Sequence, residues 1–158
     1  MAYTWINLWN HAGNQNQLGR PNHVGVDFAG NVFVRNRFSV QKFSSGGSTI
    51  SWPTPEGGAF GVDPKKGDVY VYDSDQNHIQ KYDSDGVFIN TWLNLGPTFG
   101  IVAGIAVDEN RDVFVSFQGA AQQISKTRIE KFTKSANSIT SWGANMVQRK
   151  ESLRNHMG

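Results

Sequence analysis

The residue types that carry chemistry in this chain gather in its turns. Asp73-Ser74-Asp75-Gln76-Asn77 alternates short oxygen-bearing side chains, as the opening of a calcium loop does. The sixth position is His78 rather than glycine and the twelfth is Ser84 rather than glutamate, so the sharp turn and the bidentate ligand of an EF-hand are both missing. What remains is a β-turn whose carboxylates and amides bond the local backbone. Asp83-Ser84-Asp85-Gly86 reads the same way, as a hairpin turn. The histidines His11, His23, His78 and His156 are scattered without metal-ligand spacing, and there is no cysteine. No serine–histidine–aspartate set stands out, and Gly46-Gly47 and Gly57-Gly58 read as turn glycines rather than a phosphate cradle. No catalytic residue, metal or cofactor is expected from these patterns.

The turns must be held by strands, and the strands recur. First-strand runs are Val24-Gly25-Val26-Asp27, Phe60-Gly61-Val62-Asp63 and Gly104-Ile105-Ala106-Val107-Asp108. Second-strand runs are Asn31-Val32-Phe33-Val34, Asp68-Val69-Tyr70-Val71 and Asp112-Val113-Phe114-Val115. Third-strand runs are Val40-Gln41-Lys42-Phe43, Ile79-Gln80-Lys81-Tyr82 and Ile129-Glu130-Lys131-Phe132. Fourth-strand runs end at Trp52, Trp92 and Trp142. Each is short and rich in β-branched and aromatic residues, and Gly, Pro, Asp, Asn or Ser separates it from the next. The repeat is about 40 residues long. Thr4-Trp5-Ile6-Asn7-Leu8 matches Thr91-Trp92-Leu93-Asn94-Leu95, so the chain is expected to open on the fourth strand of a further repeat.

These motifs resemble the NHL repeat of β-propellers, most closely across Gly61–Trp92 and Gly104–Gly143, and less closely across Gly25–Trp52. The arginine that usually opens the third strand is kept only as Arg128; Ser39 and His78 replace it elsewhere. The resemblance implies an all-β fold of four-stranded antiparallel blades. The expected division is 1–20 as a last strand and linker, then blades at 21–56, 57–99 and 100–143. Residues 144–158 break the repeat and read as a tail with helix-forming composition. In such blades the first strand lines a central channel and the fourth-strand Trp wedges between blades. Closed propellers have about 4–8 blades, and NHL propellers usually six. Three blades leave two apolar faces in water. The expected partner is a second copy, as a homodimer closing a six-bladed ring; the alternative is a piece of a longer propeller.

Composition agrees with a β-rich domain. There are 10 Phe, 5 Trp and 4 Tyr for a core, and 17 Gly for turns. The formal charge is +2, mildly basic. No apolar run approaches the roughly 20 residues of a membrane span, so no membrane partner is expected. The opening MAYTWINLWN has neither a basic region nor a long apolar core, so it does not read as a secretory leader.

In a propeller, the loops from second to third strand and those from blade to blade open on one face. Here that face collects Arg35, Arg37, His78, Lys126 and Arg128, with Phe60 and Phe99 in the inter-blade loops. Basic groups interleaved with aromatics suit a polyanion, such as single-stranded nucleic acid, or another protein. The expected function is therefore a non-enzymatic binding or scaffold module. The alternative is a propeller enzyme of the metal-dependent lyase or hydrolase type with its site at the channel. His23, near a first strand, is the one candidate ligand for that reading.

Overall fold

The computed structural model describes residues 20–45, 48–96, 100–119 and 127–143. Every helix or strand among them is a strand. The first sheet is β1 (His23–Val26), β2 (Val32–Arg35), β3 (Ser39–Phe43) and β4 (Thr49–Pro53). The second is β5 (Phe60–Val62), β6 (Val69–Asp73), β7 (His78–Tyr82) and β8 (Phe88–Asn94). The third is β9 (Ile101–Val107), β10 (Val113–Gln118), β11 (Arg128–Phe132) and β12 (Ser138–Trp142). Each sheet is an antiparallel meander of consecutive strands, as the recurring runs imply. The expected strand at Thr4–Leu8 and the tail at 144–158 lie outside the described residues.

The turns are built as their side chains suggest. Asp73 Oδ1 accepts the backbone N–H groups of Asp75 and Gln76, each at 3.0 Å. Asp83 Oδ1 accepts those of Asp85 at 2.9 Å and Val87 at 2.8 Å. Both acidic loops are thus occupied in shaping hairpins, and neither aspartate needs an ion to do so. The third blade departs from the simple pattern. β9 begins at Ile101 rather than Gly104, and a bulge between Ser116 and Phe117 shifts its register.

Period-two alternation gives every blade two faces. The first strands converge, β5 touching both β1 and β9, so they form the inner edge of the arc. Between the first two blades, Phe33, Val40 and Trp52 meet Phe60, Val62, Val69, Val71 and Tyr82 in one buried cluster. Between the second and third, Tyr70, Tyr72, Ile79 and Trp92 meet Val102, Ile105, Val113, Val115 and Phe132. The same repeat positions thus build both interfaces. In each blade a lysine ammonium lies over the aromatic ring of the second strand: Lys42 over Phe33, Lys81 over Tyr70 and Lys131 over Phe114, at 5.8, 5.2 and 5.2 Å.

The tryptophans do not all wedge between blades. Trp52 and Trp92 are each 7% exposed, and each seats against the hairpin turn of the next blade. Gly86, at φ 85°, occupies that turn; a Cβ there would stand 2.4 Å from the Trp52 ring. Only glycine meets both demands, the left-handed backbone and the flat contact. Trp142, by contrast, is 49% exposed. No described blade follows the third, so its ring has nothing to wedge into.

Ion pairs reinforce the second interface. Asp63, fully buried, accepts Arg111 Nε of the third blade at 2.5 Å and the backbone N–H of Lys65 at 2.9 Å. Arg111 also reaches Asp68 at 3.4 Å, while Lys81 pairs with Asp68 at 2.8 Å. Asp63 raises the Arg111 pKa by hydrogen bonding, against the opposing effect of burial. The paired, hydrogen-bonded carboxylate is the form in which a buried charge is tolerated.

Candidate binding face

One end of the arc carries the β2–β3, β6–β7 and inter-blade loops, where the basic and aromatic residues were expected. The β2–β3 loop is tied by Asn36, whose Oδ1 accepts the N–H of Phe38 at 2.9 Å and of Ser39 at 2.8 Å. That turn projects Arg37 and Phe38 into solvent. The Arg37 side chain is 67% exposed, Phe38 is 54% exposed, and the guanidinium lies 5.0 Å from the ring centroid. Arg37 Nε donates to Glu56 Oε1 at 2.7 Å, and Glu56 is itself 40% exposed. Such a surface pair is worth about 0–1 kcal/mol and is open to competition from another anion.

The third blade carries a related stack. Arg128 lies across the sheet from Phe117, with its guanidinium 4.3 Å from the ring centroid. It is mostly covered, and its Nε donates to Glu130 at 3.1 Å. His78 Nε2 sits 3.3 Å from Asp73 Oδ2 and 3.1 Å from Gln80 Nε2. These groups stand in three different blades and do not converge on one point.

Two of the expected residues are not on the face at all. β2 extends through Arg35, and alternation turns its side chain into the gap before the second blade. There it is 0% exposed and donates to the carbonyls of Ala59 at 2.7 Å and Pro55 at 2.9 Å. Burial pushes its pKa down to about 10, partly offset by Tyr82. Arg35 therefore clamps the inter-blade connection rather than meeting a ligand. Phe60 is likewise interior, part of the first interface. Phe99 and Lys126 lie outside the described residues. Phe38 was missed in the sequence; its place beside Arg37 in a polar loop, outside the strand alternation, was the available signal.

His23 pairs across the ladder with Arg35, and its Nδ1 is buried without a hydrogen-bond partner. Burial first, then the Arg35 charge, hold its pKa below the ordinary histidine value. The folded state therefore disfavours the imidazolium, which the unfolded chain accepts below about pH 6.5. Stability is expected to be full above that pH and to fall as the pH drops toward the folded pKa. Urea midpoints measured across this range should show that fall, and His23→Gln should flatten it. Among the described residues, no group of three or more His, Asp or Glu is placed to hold a metal ion.

No protein-family model matches the sequence, and neither does any curated protein. Solved structures do match in fold. The chain is similar to virginiamycin B lyase from Staphylococcus aureus, at 17% identity and TM-score 0.57, over 80% of this chain and 42% of that one. It is similar to regucalcin, a calcium-binding protein from Agrobacterium tumefaciens, at 12% identity and TM-score 0.57, over 77% and 44%. It is also similar to a gluconolactonase from Xanthomonas campestris, at 14% identity and TM-score 0.56, over 84% and 49%. These are β-propeller proteins, and the three consecutive four-stranded sheets are blades of a partial propeller. The chain spans less than half the length of each of these structures.

Proposed function

We propose that this chain is a non-enzymatic binding module made of NHL-type propeller blades, and that its loop end takes a polyanion such as single-stranded nucleic acid. The observation that carries the reading is the exposed Arg37–Phe38 pair, a guanidinium over an aromatic ring on a turn pinned by Asn36. A ring in solvent offers a stacking platform to a base, and the adjacent guanidinium offers bidentate donors to a phosphate. Glu56 holds the guanidinium in place until an anion displaces it. The NHL assignment is supported by the recurring strand motifs, above all in the second and third blades.

Fluorescence anisotropy with a labelled oligothymidylate tests this. Binding is expected to weaken as salt rises, because each neutralised phosphate releases counterions. The Arg37→Ala, Phe38→Ala double variant should bind more weakly and with a shallower salt slope. Salt-independent affinity, or affinity unchanged in the double variant, would overturn the reading. Stoichiometric metal retained after dialysis would favour the propeller-enzyme alternative.

A further inference from the structure

We propose that the free face of the third blade docks onto the free face of the first blade in a second copy of this chain, the two junctions related by a two-fold axis. This stands apart from the ligand reading, since Arg37 and Phe38 lie in a loop and in neither face.

The third blade's outward face carries Phe114, Ile129, Lys131 and Trp142. Repeat alignment puts them where the second blade has Tyr70, Ile79, Lys81 and Trp92; the Phe114–Lys131 and Tyr70–Lys81 pairs match in the ladder, while a bulge in the second blade sets Leu93 rather than Trp92 opposite Ile79. In the second blade that set is closed over by the third, with Tyr70 and Ile79 at 0% exposure and Trp92 at 7%. In the third blade Ile129 is 46% and Trp142 49% exposed. Trp142 stacks on Phe114 at 6.2 Å, so the face is already shaped. Among the described residues it is a formed half of a blade junction without its other half.

The other half is on the same chain. Val24, Val26, Val32 and Val34 pair on the outward face of the first blade. They take the repeat positions of Phe60, Val62, Val69 and Val71, which receive the first blade inside the arc. Phe60 and Val62 are 5% and 9% exposed there, while Val24 and Val26 are 69% and 56% exposed. One chain thus presents both complementary surfaces at its two ends. No flexing within a chain can bring them together, because the second blade stands between. A second copy satisfies both at once: each third blade meets the other chain's first blade, and a two-fold axis leaves neither of these described faces open.

The register carries an atomic expectation. Trp92 Nε1 donates to the carbonyl of Lys134, in the hairpin turn of the following blade, at 2.8 Å. That turn closes through Thr133 N–H to Asn137 O, and the first blade's turn closes likewise through Ser44 N–H to Ser48 O. The carbonyl of Ser45 takes the repeat position of that of Lys134; Trp52 Nε1 makes no such bond at the first interface, so the contact expected in the second copy is the seating of the Trp142 ring against the turn at Ser44 and Ser45.

Sedimentation at micromolar concentration tests the proposal. The wild-type protein is expected at twice its 17.5 kDa mass. Trp142→Asp, which damages one face, and the Val24→Asp, Val26→Asp double variant, which damages the other, should each sediment as folded monomers. Ile129→Asp serves in place of Trp142→Asp if that variant does not fold. Mixing the two classes of variant should restore a dimer, because one undamaged junction remains between unlike chains. A folded monomeric wild type, a dimer that survives either change, or a mixture that stays monomeric would each overturn the proposal. A ring of other than two copies would overturn the two-fold closure.

Discussion

Trp92→Ala is expected to destabilise the fold by about 3–5 kcal/mol, measured as a lowered midpoint in urea unfolding. Trp92 is the pivot of the second interface. Its ring meets Tyr70 edge-on at 5.1 Å and Phe132 edge-on at 5.8 Å, and its indole N–H donates to Lys134. Truncation removes the buried area, both aromatic contacts and the hydrogen bond to the third blade's turn. Each aromatic pair adds roughly 0.5–1.5 kcal/mol beyond area alone. Domains of this size are stable by about 5–15 kcal/mol, so the loss is a large fraction of the whole. Trp142→Ala is the internal control. Within one chain its ring is half in water and packs chiefly on Phe114, so its removal should barely move the midpoint of the isolated chain. Measured at protein concentrations low enough to keep the chain monomeric, equal effects at the two positions would contradict the assignment of Trp92 to a junction within the chain and Trp142 to a face open within it.

Arg35→Ala is the second large effect, expected at roughly 2–6 kcal/mol, from two carbonyls each left bare at about 1–3 kcal/mol. Among the described residues Arg35 is one of the largest fully buried side chains, and its guanidinium is spent on Ala59 and Pro55 in the connection to the second blade. Arg35→Lys should recover only part of the loss, since an ammonium cannot span two carbonyls as a planar fork does. The measurement also separates two roles. A ligand-facing arginine would lose polyanion affinity at constant stability, whereas a clamp loses stability. Intact unfolding midpoints in Arg35→Ala would return the residue to the binding face.

The strands were legible because both interfaces reuse one pattern. Val69-Tyr70-Val71 and Val113-Phe114-Val115 alternate a small β-branched residue facing one neighbour with an aromatic facing the other, and period two is readable without coordinates. Arg35 reads as a loop residue for a related reason. Its charge suggested a loop, yet it shares a repeat column with Tyr72, which is buried, so column position outweighed residue type. Phe60 reads as part of a connection because the motif begins there, while the ladder pairs it, within β5, with Val71 of β6. The free state of Trp142 was harder to read. Three similar tryptophan motifs carry no mark of which one has no described blade to cover it. Phe38 escaped because exposed aromatics in loops have no period, and only its stacking with Arg37 sets it apart.

Every blade is completed by four strands that follow one another directly, and none of the described sheets borrows a strand from its neighbour. The chain can therefore be lengthened or shortened in whole blades by a single duplication or excision of coding sequence. Each such event leaves the remaining blades intact and brings a tryptophan-bearing face against a valine-bearing one at the new seam. Blade number is in that sense a modular variable of this architecture, because each blade packs only on its neighbours.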